Sequence, residues 1–232
     1  MHPVNLKAMK QEKKEHHRRN LPHFQQSGQE YFITTNLKST VPPKALKRYS
    51  VSLERMRNEM DRIKNDKTKK KELEELKYAY HIERNKYLVA YDDMLALDET
   101  SEINLNLPEN RKIMFDAFRY YEGRRLENYV FCVMRNHFHW VMRVFEKDEN
   151  GKPVYLQDIM KIIKGVSSNY INIIENKTGR TVWQDENFDV TIRNDRHWYN
   201  TVLYTINNPV KAGLVEHWWE WEGTWCGVNI VG

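Results

Sequence analysis

Cysteine is scarce in this chain of 232 residues: there are two, Cys132 and Cys226, at a spacing that fits no zinc pattern. That excludes a disulfide scaffold and a zinc-finger fold, and a reducing cytoplasm is the simple expectation. No apolar run approaches the ~18 residues needed to span a bilayer, so no membrane partner is expected. The stretch from Met1 to Asn20 is charged and holds no apolar signal core, which argues against secretion. No glycine-rich phosphate loop, Gly-x-Ser-x-Gly or His-Glu-x-x-His occurs, which removes three common routes to hydrolytic chemistry. No internal repeat is visible.

What is present is charge and aromatic surface. Lys and Arg number 37 against 32 Asp and Glu, a net charge of +5. This mild basic bias permits a polyanionic partner. With 30% charged and 40% hydrophobic residues, a compact core plus a heavily solvated segment is expected. Seven Trp, thirteen Tyr and eight Phe are enough either to fill a core or to stack bases.

Along the chain, residues 1–20 form a basic arm in which Lys7, Lys10, Lys13, Lys14, Arg18 and Arg19 oppose only Glu12 and Glu15. It is either a solvated terminus or a polyanion contact. Residues 21–232 are expected to form a single domain. Tyr31–Leu37, rich in β-branched and aromatic residues, predicts a buried strand. Over 44–90, Leu53, Met56, Met60 and Ile63, then Leu73, Leu76, Tyr80 and Tyr87, recur at helical steps amid charge. That predicts two amphipathic helices in an antiparallel hairpin, with Lys67, Lys69, Lys70 and Lys71 near the tip. Asp92 to Leu107 reads as irregular, and the Asp92-Asp93 pair marks no cleft.

Pro108 opens a helix that Gly123 ends. Asn128–Val144 reads as a β-hairpin turning at Arg135-Asn136. A helix over Leu156–Asn176 follows, with Ile159, Ile162, Ile163, Val166, Tyr170 and Ile174 facing inward. Val190–Ile192 is a short strand. Asn194 or Asp195 caps a last helix, stopped by Pro209. The fold class is α+β: a ferredoxin-like antiparallel sheet with helices on one face, plus the charged helical hairpin.

Two constellations could carry chemistry. In His137-Phe138-His139, residues i and i+2 of a strand share a face, so both imidazoles can converge on one ion while Phe138 enters the core. Oxygen ligands would complete a Mg²⁺ or Mn²⁺ sphere, with imidazole favouring Mn²⁺. The alternative is two polar residues on an exposed strand face. The second is Tyr204 with Asn208, four apart and therefore on one helix face, about 40° from alignment. Tyr199, five residues before Tyr204, points about 140° away. Tyrosine is a poor nucleophile because its ordinary pKa is about 10, and a nearby cation would activate it. The alternative is a core tyrosine with Asn208 capping the helix. His16-His17 reads as solvated and Cys132 as a core thiol.

Taken together, Val133–Trp140, Trp183–Arg193 and Tyr204–Val215, with Arg19–Phe24 and Tyr31–Thr34 at the front, resemble REP-associated tyrosine transposases of the single-tyrosine transposase superfamily. The matches run in the family's order from about residue 18 to 225. The resemblance implies an HUH endonuclease fold that cuts single-stranded or hairpin DNA beside short palindromes through a covalent 5′-phosphotyrosine. It places the metal on His137 and His139, the nucleophile on Tyr204, and the third ligand on Asn208, with Asn207 as the fallback. Relatives often carry Pro where Arg135 stands and His where Ile206 stands; neither change removes a proposed ligand. Candidate DNA contacts are Arg18, Arg19, Arg135, Lys164, Arg193, Asn207 and Lys211. Trp183 is either a stacking residue or a core tryptophan. A monomer or homodimer is expected. The rival reading is a catalytically silent DNA- or RNA-binding protein of the same fold.

Overall fold

The computed structural model describes residues 16–18, 22–24, 26–38, 40, 47–97, 101–185 and 187–230. Of the expected basic arm it gives only His16–Arg18 as a strand, β1, which pairs antiparallel with β2 (Pro22–Phe24). Arg19 and the lysines of the arm lie outside the described residues. Two compact units emerge, one from Met1–Lys38 with Glu102–Gly232 and the other Ser39–Ser101.

The smaller unit is the expected helical hairpin, α1 (Lys47–Ile63) against α2 (Lys70–Leu97). A 3-10 turn at Lys67–Lys69 joins them, and Asp66 caps it by accepting from the Thr68 N–H at 2.9 Å. Leu53, Ile63, Tyr87 and Leu95 are buried. The tip lysines spend themselves locally: Lys69 pairs with Glu72 at 3.3 Å and Lys71 with Glu75 at 3.8 Å, on exposed surface. Such pairs contribute ~1 kcal/mol or less. Helix α2 runs through Asp92 to Leu97, where the sequence reads as irregular. The cause is a stripe at four-residue steps, Tyr87, Tyr91 and Leu95, which carries the helix past the two aspartates.

In the larger unit the order is β3 (Glu30–Asn36), α3 (Pro108–Arg119), β4 (Leu126–Val133), β5 (His137–Val144), α4 (Leu156–Ile174) and β6 (Phe188–Thr191). The strands lie β6-β3-β5-β4-β7, every pair antiparallel, with β7 (Thr224–Cys226) on the outer edge. Without β7, this is the βαββαβ order of a ferredoxin-like sheet, with the helical hairpin inserted before α3. Pro108 sits in the first turn of α3, where its missing N–H breaks no helical bond. β7 gives form to an aromatic tail the sequence leaves undefined: Trp225 stacks on Phe131, and the Trp221 Nε1–H donates to the Val133 carbonyl at 2.9 Å.

Helices α3 and α4 pack one face of the sheet, as expected for this plan. Phe118, Phe131, Phe138, Trp140, Met142 and Ile159 form the main core there. A further helix, α5 (Asp195–Ile206), covers the other face through Val202 and Ile206 against Phe32, Val130 and Val141. The sheet is therefore sheltered on both faces. The inward line of α4 also differs from the reading by periodicity. Ile159, Ile163, Ser167 and Ile171 are buried, whereas Val166, Tyr170 and Ile174 are exposed. Ser167 is drawn inward because its hydroxyl accepts from the buried Trp183 Nε1–H at 2.8 Å. Among the described residues, no helix is long and apolar enough to cross a membrane.

Candidate active site

Strand β5 alternates strictly. Phe138, Trp140 and Met142 enter the main core; His137, His139 and Val141 face α5. Neither histidine is solvated: His137 is 2% exposed and His139 0%, with ring centroids 5.0 Å apart. The register sets Asn36 opposite His137, and both Thr34 and Cys132 opposite His139. An open strand face is thereby ruled out for this pair.

Each imidazole is held by its Nδ1. His137 Nδ1 lies 2.7 Å from Asn136 Oδ1, an acceptor, which fixes the proton on Nδ1 and turns Nε2 into a lone-pair donor. His139 Nδ1 lies 2.9 Å from the Thr34 hydroxyl. Burial pushes His137 down to about 3, partly opposed by a hydrogen-bonding influence from Asn208. His139 is held well below the ordinary range by burial, then by the charge of His137 and of Lys211. Both rings are neutral at physiological pH, the form that ligates metals.

Tyr204 stands beside them on α5. Its ring meets His139 edge-on at 5.5 Å and Phe32 edge-on at 5.7 Å. The Tyr204 hydroxyl and His137 Nε2 are both buried with no hydrogen-bond partner among the described residues. Leaving such a group unpaired costs about 1–3 kcal/mol; Thr35 Oγ1 and Asn110 Oδ1, on the other face of the sheet, share that condition. Elsewhere on α5 the buried hydroxyls are satisfied: Thr201 donates to the His197 carbonyl at 2.6 Å and Thr205 to the Thr201 carbonyl at 2.8 Å.

Helix α5 begins at Asn194, whose side chain accepts from the His197 N–H at 2.9 Å. It does not run uninterrupted into Pro209. The chain breaks at Asn207 and restarts as α6 (Asn208–Lys211), with the proline in its first turn. Proline lacks an N–H and its ring would clash with the preceding turn of a continuous helix. The one-helix geometry expected for Tyr204 and Asn208 is thus replaced by a helix and a re-started turn. Asn208 is nevertheless buried and near enough to His137 to influence it, although it closes no hydrogen bond of full geometry with Nε2.

The remaining expected residues are distributed unevenly. Lys211 is exposed on α6, with its charge felt at His139. Arg135 is exposed in the β4–β5 turn, two residues before His137, and Asn207 is exposed at the helix break. Arg193 precedes α5 at the end away from Tyr204, which lies roughly 14 Å of helical rise beyond the helix start at Asp195. Lys164 is on α4, the helix of the other face, donating to the carbonyls of Gln184 at 2.7 Å and Asp185 at 3.3 Å. Trp183 is corrected from a stacking residue to a core one: it is 4% exposed, packs edge-on against Phe138 at 5.4 Å and is tied to Ser167. No face of a buried indole is open to a base. Arg18 lies in β1 and its side chain, like all of Arg19, is outside the described residues.

Thr34, Asn136 and Phe32 were not singled out by sequence. The available signal is polarity: Thr34 interrupts an apolar run, and Asn136, read as a turn former, is buried.

The donor set fits a divalent ion. Among the described residues, no three His, Cys, Asp or Glu side chains gather, so an ion here would use two imidazoles and neutral oxygens. The unpartnered His137 Nε2 and Tyr204 hydroxyl are the groups such an ion and its substrate would satisfy.

No protein-family model matches this chain, and no curated protein sequence does. Among solved structures, a REP-associated tyrosine transposase bound to a REP hairpin is similar over 90% of this chain and 80% of its own, at 14% identity and a TM-score of 0.44.

Proposed function

We propose that this chain is a metal-dependent endonuclease and strand transferase of single-stranded or hairpin DNA, working through a 5′-phosphotyrosine on Tyr204. The observation that carries this reading is the adjacency of His137, His139 and Tyr204, with a ligand-competent nitrogen and a phenol hydroxyl both buried and unpartnered. His137, His139 and the Asn208 side chain would hold Mg²⁺ or Mn²⁺. Bound there, the ion supplies Lewis-acid polarisation of a phosphate and stabilises its developing charge.

The chain's own groups do the rest. Asn136 and Thr34 orient the two rings through Nδ1. Phe32 and His139 fix the ring of Tyr204 from its edges. The phenol oxygen attacks phosphorus in line and loses its proton to solvent. A P–O bond forms to Tyr204, and the P–O bond to the 3′ oxygen breaks. That oxygen leaves as a hydroxyl after taking a proton from solvent. The new phosphodiester stays as energetic as the old one, so another 3′-hydroxyl can reverse the step without a nucleotide cofactor. Lys211 and Arg135, exposed near the histidines, are the phosphate contacts this geometry favours. The stacking aromatics expected of an RNA-binding sheet are absent from the described central strands, where Phe131, Phe138 and Trp140 are all core.

The test is cleavage of hairpin oligonucleotides with single-stranded flanks. EDTA should abolish cutting and added Mn²⁺ or Mg²⁺ should restore it, with perfect duplex a poor substrate. Full activity in EDTA contradicts the proposal. DNA binding without cleavage under any metal supports the silent DNA-binding reading instead.

A further inference from the structure

Past α6 the chain makes a 3-10 turn, Trp218–Glu220, that packs against α6. The turn is fastened at its start. The Glu220 carboxylate accepts from the backbone N–H groups of Glu216 at 3.1 Å and His217 at 3.0 Å, and the Trp221 N–H donates to the Trp218 carbonyl at 3.2 Å. Trp218 roots it in the same apolar cluster that holds Tyr204. Its neighbour Trp219 does the opposite: it is 64% exposed and lies parallel to the exposed His217 ring, centroids 4.5 Å apart and planes 11° from coincidence.

An indole in water is unfavourable unless something covers it, and a turn needs no tryptophan at this position to close. A flat, fixed π-surface in solvent is what an unpaired nucleobase seeks: stacking on such rings is sequence-tolerant because every base has a π-face. Fixing the platform in advance lowers the ordering cost of binding. The location suits the same ligand, since α6 carries both Asn208 and Lys211. A basic side chain for the phosphate and an aromatic face for the base then lie along one short stretch of chain.

We infer that the His217–Trp219 stack is a base-stacking platform for an unpaired nucleotide flanking the scissile phosphate. This rests on the single-stranded DNA reading above, but not on its chemistry.

The test uses the full chain in EDTA, where binding is measured without cleavage. Two labelled hairpins serve as probes, one with oligothymidine flanks and one with abasic flanks of equal length. Trp219→Ala should weaken binding of the thymidine probe about tenfold and leave the abasic probe unchanged. Trp219→Phe should keep most of the affinity because it keeps a ring. Equal affinity of wild type and Trp219→Ala for the thymidine probe overturns the inference. So does an equal loss on both probes, which would mark a structural or electrostatic effect. A thymidine-specific loss alongside a wild-type protein that never cuts DNA would uphold the platform and reject the catalytic reading.

Discussion

The two faces of β5 come from alternate residues of one eight-residue strand, yet they bury different kinds of side chain. On the α3/α4 face both buried indoles are answered, while Thr35 Oγ1 and Asn110 Oδ1 have no hydrogen-bond partner among the described residues. The Trp140 Nε1–H donates to Asn128 at 2.6 Å, and the Trp183 Nε1–H to Ser167 at 2.8 Å. On the α5 face, His137 Nε2 and the Tyr204 hydroxyl are buried and unanswered among the described residues. Both faces are packed, so burial alone does not explain the difference. The α3/α4 face holds the sheet together through its apolar core; the α5 face carries two imidazoles and a phenol side by side. That division is what a site grafted on a common scaffold requires.

Breaking the comparison from the α5 side should give the largest effect. His137→Ala or His139→Ala should take cleavage below detection on an oligonucleotide gel. His137→Ala should destabilise the fold by about 1–3 kcal/mol in urea denaturation, because it removes the ring's packing and its Nδ1 bond to Asn136 together with the unpaired nitrogen. Comparable cutting by either variant would return the histidines to a structural role.

From the other side, Trp140→Ala should destabilise the fold by about 3–5 kcal/mol through a cavity. It also strands the Asn128 Oδ1 that accepts from Trp140, while the amide nitrogen keeps its bond to the Phe118 carbonyl. A shift of the urea midpoint worth less than about 1 kcal/mol would mean that this face is not the main core. A smaller effect falls on the groups behind the histidines. Asn136→Ala or Thr34→Val should weaken Mn²⁺ binding, followed by calorimetry, about 10- to 100-fold. Unchanged affinity would show that ring orientation is fixed by packing alone.

Much of this was legible in the sequence where the signal is local. The two-residue alternation in His137-Phe138-His139 placed both imidazoles on one face, and Pro108 and Asn194 marked helix starts that the structure reproduces. What stayed hidden depends on partners far along the chain. Periodicity could not choose between two apolar lines on α4, because the choice is made by Trp183 bonding to Ser167. The shelter over the histidines comes from α5, which follows them by more than fifty residues. Asn136 and Thr34 read as turn and strand residues until the register brought Thr34 opposite His139 and the turn laid Asn136 beside His137. Pro209 was read as a stop, but in space it begins a new turn that keeps Asn208 by the site.

The most direct measurement is mass spectrometry of a protein–DNA adduct trapped with Mn²⁺ and a hairpin substrate. A nucleotide should be found on Tyr204, joined through a 5′-phosphate. Tyr204→Phe should fold and bind DNA but form no adduct. Tyr199→Phe, which alters a tyrosine 38% exposed on the same helix, should still form it. An adduct on any other residue, or none from a protein that cuts DNA, would contradict the account.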